Sequence, residues 1–260
     1  MELKLSPVGL MVYGAMALWM VAMTAYIARN SRLGAWLFAG GFAITAAAFV
    51  LRWIQVQHPP MQNMFEVMLM MGMLIWPAWM FCRRFLDARC PAGIIFIGLL
   101  VLFPVGFVFH DQPQKLPPAL QSWLFIPHVS SYMLAYMVLF MATVQAGGAL
   151  ACRTDAARWD DATHRMVCLG FPLLSLGLVL GAVWGKYAWG DYWNWDPKEM
   201  WSLASFLAFV AYIHFRGLHG RRFIRTNAVL VIIGAVFIIL TLLWVNLSRI
   251  FGGTLHSYAT

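Results

Sequence analysis

Eight long apolar segments leave this chain little else to build with. They run over 7–28, 33–51, 64–82, 90–109, 128–150, 166–185, 197–215 and 228–247, each 19 to 23 residues long. A helix rises about 1.5 Å per residue, so about 20 apolar residues cross a hydrocarbon core of roughly 30 Å. The other 98 of the 260 residues are divided among nine connections and ends, the longest being 18 residues at 110–127. No segment outside a bilayer is therefore long enough to form its own core. Composition agrees, with 62% hydrophobic and 11% charged residues, against about a quarter charged in soluble domains. The expectation is an all-α polytopic membrane protein of eight transmembrane helices. With no 20-to-50-residue repeat and no low-complexity linker, it reads as a single membrane domain over 1–260.

A net charge of +8 raises nucleic acid as a partner, and the placement of the 18 Lys and Arg removes it. Loops 29–32, 83–89, 151–165 and 216–227 hold 12 of them, all Arg. The opposite side holds Lys4, Arg52, Lys115, Lys186, Lys198 and Arg249. That asymmetry is the positive-inside bias, which puts both termini outside the cytoplasm. One Lys before the first span and Arg29 and Arg32 after it reverse the pattern of a cleavable signal peptide, so this span is expected to stay. Cys82, Cys90, Cys152 and Cys168 fall at or near the cytoplasmic side, where disulfides rarely persist. None forms a Cys-x-x-Cys pair, which argues against a thiol carrier or a covalent haem acceptor.

Residues 184–201 hold five of the 13 tryptophans: Trp184, Trp189, Trp193, Trp195 and Trp201. An interfacial aromatic belt accounts equally well for Trp184 and Trp201 at the helix ends. It does not account for Trp189, Trp193 and Trp195, which join Tyr187 and Tyr192 in an expected loop of about a dozen residues. Exposed aromatic area on that scale calls for a cover, either a flat conjugated ligand or a partner protein. Asp196-Pro197-Lys198-Glu199 also has a structural reading, as an N-cap, a first-turn proline and a capping-box partner for the seventh span. Asn63 and Glu66 repeat that pattern before the third span, so Glu66 reads as a cap partner.

The run from Trp184 to Trp201 contains WGxYWxWDPKExW at 189–201. It resembles the WWD haem-handling signature of the cytochrome c assembly family. The Asp-Pro-Lys-Glu-x-Trp continuation is closer to that family's CcsA (ResC) branch than to CcmC or CcmF. Weaker resemblances lie at Ala119-Leu120-Gln121-Ser122 before His128, at Asn63-Met64-Phe65-Glu66 and at Leu255-His256-Ser257-Tyr258. By this resemblance Trp189, Trp193, Trp195 and Asp196 belong to a haem-binding loop. His128 and His256 map onto the family's external axial ligands of haem iron, and His214 onto its membrane-embedded ligand.

Topology alone does not choose among the seven histidines. His58, His110, His128 and His256 fall on the side of the tryptophans, and His164, His214 and His219 on the other. Helix geometry separates the mapped three, because the 17 residues from Pro197 to His214 span roughly 25 Å. One iron cannot be bound by His214 and by the outer pair, so three ligands imply two haem positions. The competing reading of His214 is a side chain snorkelling to the basic interface beside Arg216. For Arg52, Lys186, Lys198 and Arg249, propionate binding competes with ordinary interfacial anchoring.

The resemblance implies the catalytic half of a two-subunit holocytochrome c synthase (haem lyase) of the CcsA–CcsB type. Its substrate and ligand is haem b, iron protoporphyrin IX. It moves haem outward and presents it for thioether attachment to a Cys-x-x-Cys-His segment of apocytochrome c. The implied partners are a CcsB (ResB)-like membrane protein, which supplies the second ligand at the inner position, apocytochrome c, and a thiol-reducing protein nearby; nucleic acid is not among them. The implied location is the bacterial cytoplasmic (inner) membrane, multi-pass, with the WWD loop on the outer face, in preference to a thylakoid. A haem exporter or chaperone of the CcmC type is the alternative. A b-type redox subunit would need bis-His pairs at matched depth, and an unrelated transporter would show intramembrane charges or broken helices.

Overall fold

The structure is a computed structural model and describes residues 4–247. Eight α-helices are present among these residues: α1 (Pro7–Ile27), α2 (Ser31–Val56), α3 (Met64–Phe85), α4 (Pro91–Phe107), α5 (Phe125–Ala151), α6 (Ala156–Trp189), α7 (Pro197–His219) and α8 (Ile224–Leu247). Each coincides with one apolar segment. Six helical runs are long and apolar enough to cross a membrane, one being α7 and α8 together over 197–243. A 3-10 turn at Gly220–Phe223 divides that run. α4 is apolar but shorter, at 17 residues. The protein is thus an all-helical, polytopic membrane protein.

Helix starts follow local chemistry. Ser6 Oγ accepts from Gly9 N at 3.2 Å and Pro7 stands at the first helical position of α1, while Asn30 Oδ1 accepts from Leu33 N at 3.2 Å to open α2. The largest departure from the apolar pattern is α6, whose 34 residues overrun the segment 166–185 at both ends. Residues 156–165 are too polar to register as a span, yet they are helical, with Asp160 and Asp161 paired to Arg216 at 2.8 and 3.1 Å.

The chain divides into two compact units. The first takes in the chain to Phe81 together with Cys90–Leu120. Its core centres on Trp19 of α1, whose indole nitrogen donates to Phe38 O in α2 at 3.2 Å. Gly41 and Gly98 make room for that ring, since a Cβ on Gly41 would lie 2.1 Å from the indole nitrogen and one on Gly98 2.8 Å from Cζ3. Phe42 of α2 stacks on Trp76 of α3 with centroids 4.8 Å apart.

At one end of this unit Arg52 and Glu66 form an ion pair, each only 1% exposed. Arg52 Nε and Nη2 donate to Glu66 Oε1 at 3.0 and 2.9 Å, and its remaining donors reach the carbonyls of Asp111 and Gln112. This corrects two expectations. Asn63 caps α3 by accepting from Glu66 N at 3.0 Å, but Glu66 reaches back to Gln62 N, at 2.9 Å, rather than to the cap residue. Arg52 is a buried structural cation and not an interfacial anchor, because Glu66 and two carbonyls replace its hydration.

The second unit comprises Cys82–Arg89 and the chain from Gln121. Here α5 and α6 pack antiparallel along a seam of glycines. A Cβ would lie 2.3 Å from Trp159 if placed on Gly148, 2.8 Å from Leu139 on Gly170 and 2.9 Å from Tyr132 on Gly177. Such small residues let two helix backbones approach closely. α8 packs on both α5 and α7, with Gly234 admitting the Phe209 ring.

Candidate functional site: the tryptophan loop and the histidine beneath it

The loop between α6 and α7 is shorter than the sequence implies. α6 continues through Lys186, Tyr187, Ala188 and Trp189 before Gly190, at φ 94°, stops it. Trp189 is therefore a residue of the last helical turn, and only 190–196 are loop. Left-handed backbone at a helix end is the usual use of glycine. Lys186 Nζ donates to Gly190 O at 2.5 Å and lies over the Tyr192 ring at 5.6 Å.

The far end of the loop is fastened by the expected capping box. Asp196 Oδ1 accepts from Lys198 N at 2.9 Å, and Pro197 occupies the first helical position of α7. Glu199 does more than a cap partner does: its Oε2 accepts from Asp196 N at 3.2 Å and also from Asn194 N at 2.8 Å. Those two amides flank Trp195, which sits at φ 56°. A left-handed non-glycine residue costs about 1–2 kcal/mol, and the two bonds to one carboxylate offset that cost. Trp195 is held outward, 68% exposed, with its ring edge-on to Trp193 at 6.0 Å. Tyr187 and Tyr192 are exposed beside it, at 75% and 60%. Trp193 Nε1 is buried and has no hydrogen-bond acceptor.

Beneath the helix end, aromatic rings run from the loop to His128. Trp189 packs edge-on to Trp184 at 5.0 Å, Trp184 stacks on His128 at 5.7 Å, and Tyr132 meets that imidazole edge-on at 5.2 Å. His128 lies in the first turn of α5, where its N–H donates to Leu124 O at 3.0 Å. Its Nδ1 is 2.9 Å from Gly177 O in α6. A carbonyl only accepts, so Nδ1 holds the proton and the lone pair belongs to Nε2, the tautomer a metal ligand needs. Gly181, one turn beyond Gly177, lies against the ring, since a Cβ there would fall 2.6 Å from Cε1.

The structure thus brings His128, Trp184 and Trp189 together, with Trp193 and Trp195 as a second pair in the loop and Asp196 at its end. It does not bring His214 to them. α7 is unbroken from Pro197 to His219, so the 17-residue rise stands. His214 is exposed near the opposite end of that helix, with Nδ1 2.9 Å from Val210 O. His256 lies outside the described residues. Tyr132, Gly177, Gly181 and Glu199 were not singled out as site residues from the sequence. The Gly177-x-x-x-Gly181 spacing in an apolar segment was the available signal for two of them.

A multi-span helical protein with a tryptophan-rich loop above a half-buried histidine defines a narrow class. The sequence matches the family described as Cytochrome C assembly protein over residues 10–251. The chain belongs to that family, and with it to the proteins of cytochrome c biogenesis. It is 30% identical to a protein of Synechococcus sp. (strain CC9902) named Cytochrome c biogenesis protein CcsA, over 83% of each chain. It is likewise 30% identical to the protein of that name from Mesostigma viride, over 83% of this chain and 82% of the relative. The fold is similar to that of the solved Cytochrome c Heme Lyase CcmF, with a TM-score of 0.74 and 19% identity. That match covers 93% of this chain and 48% of the other, so this protein spans about half the length of that neighbour.

Proposed function

We propose that this protein is the haem-handling subunit of a cytochrome c synthase, in which haem b is substrate and not a resident cofactor. The observation that carries the reading is the His128–Trp184–Trp189 ring chain, with the imidazole in the ligand tautomer directly below the loop. The site suits a flat, apolar, dicarboxylate-bearing ligand. Trp195, Tyr187 and Tyr192 offer exposed faces, and the buried Trp193 N–H lacks an acceptor that a propionate would supply. In this reading His128 and His256 ligate haem iron at an outer position and His214 at an inner one. A CcsB (ResB)-like partner completes the inner site, apocytochrome c is the acceptor, and a thiol-reducing protein works nearby.

The chain contributes positioning more than acid–base chemistry. Each acceptor thiol adds across a vinyl double bond: a carbon–sulfur bond forms, the thiol hydrogen goes to the adjacent vinyl carbon, and no net electrons are exchanged. Eight spans with both termini outside, in a bacterial cytoplasmic membrane, make the topology, and the family match over 10–251 supports one membrane domain.

The test is reconstitution of the full chain with its CcsB-like partner, haem and a reduced apocytochrome c. Covalent attachment, absent with His128→Ala and partly restored by excess imidazole, is expected. Haem that copurifies without ever becoming attached would make the protein a haem exporter or chaperone of the CcmC type. His214→Ala should lower haem content at both positions, and normal haem with normal attachment would reduce His214 to an interfacial anchor.

A further inference from the structure

Where α4 ends, the first unit holds a cavity of about 640 Å³, within the size range of sites for small organic ligands. The chain entering α1, the end of α2 and the segment 107–113 enclose it. α4 leaves the space by stopping early. Its 17 residues rise about 25 Å, short of a hydrocarbon core of roughly 30 Å, whereas α1 has 21 residues and α2 has 26. The last-turn carbonyls of a helix have no partner within it. Here Lys4 Nζ donates to Val105 O, and Tyr13 Oη donates to Gly106 O at 2.8 Å. Irregular chain at 110–113 then continues past the helix end.

The charge lining the cavity is of both signs. Arg52 is neutralised by Glu66 and directs its donors to that carboxylate and to the carbonyls of Asp111 and Gln112. Lys4 and Asp111 remain, opposite in sign and within electrostatic reach of each other, with His110 exposed on the rim. Ser6 Oγ donates to Asp111 Oδ2 at 2.5 Å. Among the described residues, Asp111 Oδ1 is thus left to accept and two hydrogens of the Lys4 ammonium to donate. Burial draws the Lys4 pKa below its usual value, against the pull of Asp111, and an anion beside the amine would offset that burial.

An anion alone would face Asp111, and a cation alone would face Lys4. A ligand carrying both signs satisfies the two. The apolar surroundings choose its kind. Phe107 lines the cavity, and Phe103, Leu100 and Phe96 follow it at spacings of four, three and four residues, along one face of α4. Those three are exposed, and the Phe103 ring lies 5.1 Å from that of Phe107. The stripe leads about 16 Å down the helix from the cavity. A soluble zwitterion gains nothing from such a track; an acyl chain lies along it.

We propose that this cavity binds the headgroup of one zwitterionic phospholipid bearing a primary ammonium, with its phosphate against Lys4, its ammonium against Asp111 and an acyl chain on the α4 stripe. A short span thins the bilayer beside it, which brings headgroups to the level of the cavity. The site uses no residue of the proposed haem site, and its test involves no haem.

Native mass spectrometry of the full chain in detergent tests this, with phosphatidylethanolamine, phosphatidylcholine or phosphatidylglycerol of identical acyl chains added in equal amounts. Retained phosphatidylethanolamine is expected at one per chain and about tenfold above the other two. Three N-methyl groups leave phosphatidylcholine no hydrogen to give Asp111, and phosphatidylglycerol has no ammonium. Equal retention of the three would overturn the proposal. Asp111→Asn keeps an acceptor for Ser6 but loses the charge, so phosphatidylethanolamine should fall to the phosphatidylglycerol level; an undiminished preference would equally overturn it. Lys4→Gln should lower retention of all three lipids about tenfold, and unaltered retention would count against the phosphate contact and so against the site. Glycerophosphoethanolamine, the same headgroup without chains, should fail to displace the lipid at equal concentration. Displacement would make the occupant a soluble phosphoester and end the lipid reading. Should either variant fail to fold, the ranking of the three lipids on the wild-type chain decides.

Discussion

In the proposed haem site, His128 illustrates how much of a ligand's readiness lies in its neighbours. The Gly177 carbonyl sets its tautomer, Trp184 and Tyr132 hold its plane, and Gly181 leaves the space its ring occupies. Gly181→Ala puts a methyl 2.6 Å from Cε1, which forces the ring aside without touching any ligand atom. Misplacement of about 1 Å costs up to roughly a hundredfold in rate, so this variant should attach haem ten- to a hundredfold more slowly, with the altered absorption spectrum of His128→Ala. Gly147→Ala is the control, since a Cβ there meets nothing within 4 Å. A Gly181→Ala protein with wild-type spectrum and attachment would show that the ring has room to spare. Trp195 makes a related point, because its left-handed backbone depends on a carboxylate four residues away.

Among the elements, what was legible in the sequence was what local composition decides. Apolar length located all eight helices, and the Asp196–Glu199 spacing located the start of α7, since a cap is written in adjacent residues. The ends of α6 were not legible: Lys186 through Trp189 look like loop by polarity and aromatic content, and become helix because Trp189 packs on Trp184. Arg52 and Glu66 are separated by 14 residues and a turn, and nothing at either position announces the other. Their pairing makes a measurable claim. Arg52→Leu or Glu66→Leu leaves one buried charge alone and should cost about 3–5 kcal/mol, whereas the double variant should cost markedly less than the sum. Thermal unfolding in detergent, followed by circular dichroism, gives the cycle. Additive losses would mean the two charges do not stabilise one another.

For the molecule as a whole, the proposed crossing pattern has a direct check. Single cysteines introduced at Trp193 and Ser257 should react with an impermeant thiol reagent in intact cells, and one at Gly220 only after lysis. Reaction of position 220 in intact cells would put both ends of α7 on one side and end the two-position scheme. The short loop sets a further bound, on motion. From Trp189 to Pro197 the chain is eight links long, and at about 3.6 Å each it could extend to roughly 29 Å. Lys186 clasps Gly190 at one end and Glu199 clasps Asn194 and Asp196 at the other, leaving Asp191, Tyr192 and Trp193 as the only slack. Three residues pay out roughly 10 Å. The loop is in effect a short leash: in the proposed function haem must come to the tryptophans rather than be fetched by them, and only by releasing the Lys186 or the Glu199 clasp could the ends of α6 and α7 part further.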